Sequence, residues 1–453
     1  MNRETENILG TRKMSSLVLT TGIPLMLSLL INSLYNFVDS VFVSRVSEEA
    51  LTAVSLGSPI QMMVSSLGLG NAVGLNAVIS RALGEKRPDK VRKAADASIF
   101  IGICAWLLIA VSCILFVKPY FAWQSEGNET ISGYGRQYIT VCMLFSFGQM
   151  GQWIFDRFVI ASGKSTLFIF TLSAASLTNL LLDPILIFGL FGLPRMETLG
   201  AAIATVIGQC VGLLAGILIN RRWNREIPFG FTLRPDLATV KEILKVGFPS
   251  TLVQILTAGV NIVINSILIV FSTTAVAVYG VCAKIFNIVT VGVHGIDNGL
   301  IPIVAYNLGA KKRDRMISAA KWAIIYSAAI YAVFLIVLQA APTAVMQLFD
   351  ASEHMMGIGV PALRILSVAW LFAIPNLVCA AALQGLSQGT KSMYLNLIRQ
   401  AILPVLFALL LSRLGNLDLV WLGFFLAEVL CFPIAWVLWK KAIGPVPEGE
   451  AEA

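Results

Sequence analysis

Charge is what this sequence has least of. Of its 453 residues only 13% are Asp, Glu, Lys or Arg, while 57% are hydrophobic, and a soluble domain carries roughly a quarter charged residues. That shortfall excludes an ordinary water-facing surface. In its place stand about twelve apolar runs, each near the roughly 20 residues that cross a bilayer as a helix. They fall near 17–43, 51–80, 95–117, 137–159, 166–190, 199–219, 243–271, 276–306, 318–345, 360–388, 392–412 and 419–439. The short alternating strands of a membrane barrel are missing. A small-residue cleavage pattern after the first run is missing too, so that run is kept as a span rather than read as a signal peptide.

Other absences narrow the chemistry. Seven cysteines (Cys104, Cys113, Cys142, Cys210, Cys282, Cys379 and Cys431) all fall in apolar runs and form no CxxC pair, so they read as small packing residues. His294 and His354 lack metal-ligand spacing, and no metal centre or cofactor is expected. "ASGKST" (161–166) ends like a phosphate-binding loop, but Phe158 stands where that motif needs its first glycine. "GLGNAVG" (68–74) lies within an apolar run with no strand before it, so its glycines serve helix packing.

The basic residues are distributed unevenly, and Lys and Arg collect in short cytoplasmic loops. Arg81, Lys86, Arg87, Lys90, Arg92 and Lys93 follow the second span, Lys311, Lys312, Arg313 and Arg315 follow the eighth, and six more lie between the sixth and seventh. The other side has only Arg45, Lys118, Arg136, Arg195 and Arg413. Both termini are therefore expected to be cytoplasmic. The net charge of +8 is a topology signal and gives no support to nucleic-acid binding.

An internal repeat organises the chain. Gly22, Pro24, Leu27, Asn36 and Val38 align with Gly247, Pro249, Leu252, Asn261 and Val263, an offset of 225 (249 − 24). The same offset matches Leu83, Gly84, Lys86 and Asp89 with Leu308, Gly309, Lys311 and Asp314. The expected fold is an all-α membrane protein, with twelve transmembrane helices in two six-helix bundles. Six spans per half give both halves the same orientation, related by pseudo-twofold symmetry along the membrane normal. The expected lobes are 1–223 and 241–453, with a cytoplasmic linker at 224–240.

A charge within the hydrocarbon is costly and is by default a functional hypothesis. With the N-terminus inside, Asp39 lies about 7 Å below the outer surface, Asp183 and Thr205 about 9 Å, and Asn179 one turn deeper, at 1.5 Å per residue. Asn179 and Asp183 are four apart and share a helix face, and Pro184 beside them lacks a backbone donor. Two carboxylates, an amide and a hydroxyl suit a small hard cation, and the same carboxylates close together suit a proton. A plainer reading has Asp39 snorkelling to the interface and Asp183 bonding within its own helix. The repeat speaks against it, because Asp39 faces Ile264 at the same offset.

At these residues the chain resembles the multidrug and toxic compound extrusion family of cation-coupled antiporters. The motifs are "NFVDSVFVSR", "LTNLLLDPILIFGLFG" followed by "LGAAIATVIGQ", the G-x-P openings of spans one and seven, and the paired "LGEKRPDK" and "LGAKKRDR" loops. The resemblance implies that Asp39, Asn179, Asp183 and Thr205 form an N-lobe site for Na+ or H+, and that Pro24 is where the first helix bends. It also implies export of amphipathic or cationic organic compounds by alternating access, from a multi-pass, monomeric protein of the plasma (inner) membrane. The family's other pattern, acids in spans seven and ten, is missing here.

An exporter of that kind leads one to expect a wall of apolar, Met and aromatic contacts, for which Gln61, Met62, Met63, Phe147, Gln149 and Trp153 are candidates. In the C-half, Lys284, Arg399 and Glu428 lie within spans. Lys284 and Glu428, both roughly 13 Å deep, form either a neutralising pair or a substrate- or proton-linked group. Two other classes make different demands. A flippase for lipid-linked saccharides calls for a strongly basic cavity, and a membrane enzyme calls for an acid cluster or a nucleophile and base at helix ends. No such enzyme pattern is found.

Overall fold

The computed structural model of the protein describes residues 7–125, 127–349 and 352–444. The extreme termini, expected to be cytoplasmic, lie outside these. The described residues are helical nearly throughout: α1 (Ile8–Thr11), α2 (Met14–Ser44), α3 (Glu48–Gly84), α4 (Pro88–Gln124), α5 (Glu129–Leu144), α6 (Phe147–Ala161), α7 (Thr166–Phe188) and α8 (Glu197–Trp223) in the first half of the chain. The second half holds α9 (Leu237–Leu268), α10 (Thr273–Gly309), α11 (Arg313–Ala340), α12 (Pro342–Gln347), α13 (Glu353–Gly385), α14 (Gly389–Leu397), a π-helical turn (Ile398–Ile402), α15 (Leu403–Ser412) and α16 (Leu417–Ile443).

Among the described residues, eleven helical segments are long and apolar enough to cross a membrane, counting α14 to α15 as one. The remaining expected span, near 137–159, is broken into α5 and α6 with no proline at the break. The side chains around it explain why the break is stable: Trp106 Nε1 donates to the Leu144 carbonyl at 2.8 Å and Ser146 Oγ to the Met143 carbonyl at 2.9 Å. Carbonyls released by the interrupted ladder thus find other donors.

The repeat extends to atomic detail. Ser47 caps α3 by accepting from the Ala50 N–H at 3.1 Å, and Ser272 caps α10 by accepting from the Ala275 N–H at 3.0 Å. The same two helices end alike, with Lys86 at φ 53° and Lys311 at φ 57°, both left-handed. Each of these pairs is separated by 225 residues.

Two compact units are present, and they divide two helices. Of the described residues, the first unit contains 7–10 and those within Leu27–Thr251; the second contains Thr11–Met26 and those from Leu252 on. The start of α2 therefore belongs to the second unit and the start of α9 to the first. Both changeovers fall where the repeat demands, since 251 − 26 is again 225, and each comes two residues after a helical proline, Pro24 or Pro249.

Glycines seat these exchanged segments. Within the first unit, a Cβ on Gly247 would lie 2.2 Å from the Gly70 carbonyl oxygen, and one on Gly74 2.2 Å from that of Ile243. Thr251 Oγ1 donates to the Ser66 carbonyl at 2.9 Å. Within the second unit, a Cβ on Gly295 would lie 2.6 Å from Met26 Cα, and one on Gly22 3.1 Å from Ile296 Cα. "GLGNAVG" is thus a stretch of α3 against which α9 packs closely.

The segment between α8 and α9 spans 224–236, so 237–240 of the expected linker is already helix. It lies against the first unit: the Phe229 ring is 4.9 Å from that of Phe155 and stacks on Phe158 at 5.8 Å, and Gly230 N–H donates to Asp96 at 2.7 Å. Asp236 then caps α9, accepting from Thr239 Oγ1 at 2.5 Å and from its N–H at 3.1 Å, which holds the Asp236 carboxyl below its ordinary range. In the "ASGKST" loop, Lys164 pairs with Glu226 at 2.9 Å, so its charge is met by an acid.

Candidate functional site

The four expected cation-site residues come together inside the first unit. Asp39 is on α2, Asn179 and Asp183 are on α7, and Thr205 is on α8. Close contact between α7 and α8 depends on glycine: a Cβ on Gly208 would lie 2.8 Å from the Ala175 carbonyl oxygen and 3.1 Å from Asn179 Cβ. That approach sets Thr205 beside Asn179.

The carboxyl groups of Asp39 and Asp183 lie close enough to interact with each other. Asp183 is completely buried, and Asp39 Oδ1 is buried with no hydrogen-bond partner. Two carboxyls can hydrogen-bond only through a proton, and two bare carboxylates in contact repel unless a cation lies between them. The Asn179 amide lies between Asp183 and Thr205. With its nitrogen toward the acid it donates to Asp183 Oδ2 at 3.1 Å and accepts from the Thr205 N–H at 3.2 Å. The opposite orientation gives longer contacts, 3.4 Å to Asp183 Oδ1 and 3.3 Å to Thr205 Oγ1, so the first is preferred. α7 continues through Pro184 without a break, though the Leu180 carbonyl loses the donor that a non-proline would supply.

These residues border a cavity of about 250 Å³. Asp39, Asn179 and Thr205 line it, together with three of the expected wall residues, Gln61, Gln149 and Trp153. Met62, Met63 and Phe147 do not line it; they are 43%, 56% and 39% exposed. Met62 and Met63 follow Gln61 on α3 at about 100° per residue, which turns them away from the face that Gln61 presents.

The wall also departs in character from the apolar, Met and aromatic lining expected. It is rich in amides and hydroxyls: Asn32, Asn36, Gln152, Gln209, Tyr35, Tyr138, Ser65 and Ser176 all contribute. Gln61 Nε2 donates to the Tyr138 hydroxyl at 3.1 Å. Part of this was legible, since Asn32, Tyr35, Asn36 and Asp39 recur at helical spacing and form one polar stripe on an otherwise apolar helix.

In the second unit, Glu428 is paired with Arg399 at 3.0 Å rather than with Lys284. Equal depth suggested the Lys284 pairing, but depth does not fix the helix face, and Lys284 is exposed. Among the described residues, no group of three or more His, Cys, Asp or Glu side chains is arranged to hold a metal ion.

The family model described as MatE matches residues 24–185 and again 249–410. The chain belongs to the MatE family. The two matches begin and end 225 residues apart, so the repeat seen in the sequence, the caps and the unit boundaries is a repeat of the family unit itself. Among curated relatives, the multidrug export protein MepA of Staphylococcus haemolyticus is 27% identical over 413 residues, 90% of each chain. That of Staphylococcus saprophyticus subsp. saprophyticus is 26% identical over 415 residues, again 90% of each. Among solved structures, a crystal structure of MATE in the straight conformation superposes with a TM-score of 0.88 at 23% identity, over 98% of this chain and 99% of the other. A multidrug resistance MATE family transporter in an outward-facing conformation gives 0.88 at 22%, with the same coverage. At such identities the solved structures establish the shared MATE fold of this multi-pass membrane protein.

Proposed function

We propose that this MATE family protein exports small organic compounds, drugs among them, in exchange for Na+ or H+. The observation that carries this reading is the closely placed Asp39–Asp183 pair, bridged by Asn179 to Thr205 and opening onto a cavity inside the same unit. A carboxyl pair of that kind changes charge by one when it takes up or releases a cation, and the cavity beside it changes affinity for a cationic cargo in the opposite sense. Entry of the ion from outside then favours release of cargo, and loss of the ion to the inside resets the site.

In this reading the protein works as a monomer with both termini cytoplasmic. The two lobes, 1–223 and 241–453, joined by the 224–240 linker, alternate between inward and outward access, with the Pro24 region of α2 as one bending point. The MepA relatives are named as multidrug exporters, which supports the cargo class. Flipping of lipid-linked saccharides is disfavoured, because no Lys or Arg among the described residues lines the cavity and a diphosphate headgroup calls for cationic partners.

The test is efflux of a fluorescent cation from proteoliposomes, under an imposed sodium gradient or an imposed proton gradient, separately. One of the two gradients should drive export against the cargo gradient. Export that needs ATP and ignores both gradients would overturn the reading.

A further inference from the structure

The second unit holds its own set of charges within spanning helices, and they do not balance. Arg399 is only 6% exposed and sits in the π-helical turn Ile398–Ile402, a distortion common at functional positions. Its Nη1 donates to Glu428 Oε1 at 3.0 Å, and Asn376 Nδ2 donates to Glu428 Oε2 at 2.9 Å. Glu428 is thereby satisfied at both oxygens by a guanidinium and an amide. Taken alone, that is a neutral structural staple.

Asp297 breaks the balance. It lies on α10, is 8% exposed, and feels the charge of Arg399, yet its Oδ1 is buried with no hydrogen-bond partner. Arg399 Nε and Asn376 Oδ1 are likewise buried without partners. The other titratable groups that interact with this cluster are His294, on α10 and influenced by Arg399, Cys379 on α13 and Cys431 on α16. None of them supplies a fixed positive charge. Arg399 is already paired with Glu428, so an ionised Asp297 adds one negative charge that no ion pair among the described residues meets, in a place where an uncompensated charge is strongly disfavoured.

We propose that Asp297, beside the Arg399–Glu428 pair, is a proton-binding site of the second unit, separate from the Asp39–Asp183 pair. One proton adds to the carboxylate to give a neutral acid, and the cluster becomes electrically neutral. A metal ion fits less well, because the guanidinium repels it and the described residues form no metal-ligand group there. The inference does not depend on the identity of the cargo or of the ion at Asp39 and Asp183.

The test is infrared spectroscopy of the full-length protein in lipid, following the carbonyl absorption of protonated carboxylic acids, with its deuterium shift, in Na+ and in K+ buffers. Asp297→Asn should lose one such component relative to wild type, and Asp297→Glu should keep one, which separates loss of the site from loss of the fold. The double variant Asp39→Asn/Asp183→Asn should retain the component. Glu428→Gln should lose it as well, because one remaining acid then balances Arg399 without a proton. An Asp297→Asn spectrum identical to wild type, or a component that survives in Glu428→Gln, overturns the proposal. Suppression of the component by Na+ but not by K+ also overturns it and makes the site a sodium site.

Discussion

Asp39 on α2 and Asp183 on α7 bring their carboxyl groups within reach of each other, with Asp183 fully buried and Asp39 Oδ1 left without a hydrogen-bond partner. Its two members come from different helices, so under the proposed function an ion bound at this pair would tie α2 to the α7–α8 hairpin.

Asn179 should matter for affinity more than for fold. Asn179→Ala removes the bridge between Asp183 and Thr205, a hydrogen bond to a charged group worth about 1.5–3 kcal/mol. The half-saturating concentration of the coupling ion should rise by roughly 10- to 100-fold at that cost. Export measured as a function of ion concentration checks this, and an unchanged curve would remove Asn179 from the site.

The exchanged halves of α2 and α9 give a packing prediction. Gly247→Ala sets a Cβ 2.2 Å from the Gly70 carbonyl oxygen and should destabilise the protein by about 1–3 kcal/mol through overpacking. Gly280→Ala, in α10, meets nothing within 4 Å and should be neutral or stabilising by up to about 1 kcal/mol. Thermal unfolding in detergent compares the two. Equal melting temperatures would mean that the close approach of α3 and α9 contributes nothing.

The amide-rich wall predicts a change in selectivity. Gln61→Leu keeps roughly the same volume but breaks the contact with the Tyr138 hydroxyl and leaves that hydroxyl unpaired, a loss of about 1–3 kcal/mol to any cargo held by hydrogen bonds there. Efflux of a polar, multiply hydrogen-bonding amine should fall by roughly tenfold relative to a lipophilic cation of similar size, at about 1.4 kcal/mol per decade. Equal losses for both compounds would show that Gln61 acts on folding and not on cargo choice.

The sequence carried what depends on local pattern and on symmetry. Span positions follow from run length, and the 225 offset of Pro24 and Pro249 recurs in the caps at Ser47 and Ser272 and in the unit boundaries. The meeting of Asp39, Asn179, Asp183 and Thr205 was legible because equal depth within one bundle leaves few alternatives. Depth alone misled for Lys284, which is exposed while Glu428 pairs with Arg399, since a helix face is a tertiary property. The break at Phe145 and Ser146 carries no proline and depends on Trp106 from α4, a contact that no local window contains. The exchange of half-helices between units was hidden for the same reason, although Gly22, Gly70, Gly247 and Gly295 mark it once their partners are known.

The most direct measurement is uphill export by Asp39→Asn and Asp183→Asn in proteoliposomes, beside cargo binding to the same purified variants. Each variant should fold as wild type does and bind a cationic cargo with the weaker affinity of the ion-loaded wild type, whatever the ion concentration. Each should nonetheless fail to concentrate cargo under either a sodium or a proton gradient, because Asn keeps the shape of the site and loses the charge that the ion neutralises. Wild-type uphill export by Asp39→Asn under either gradient would contradict the account and return Asp39 to an interfacial role.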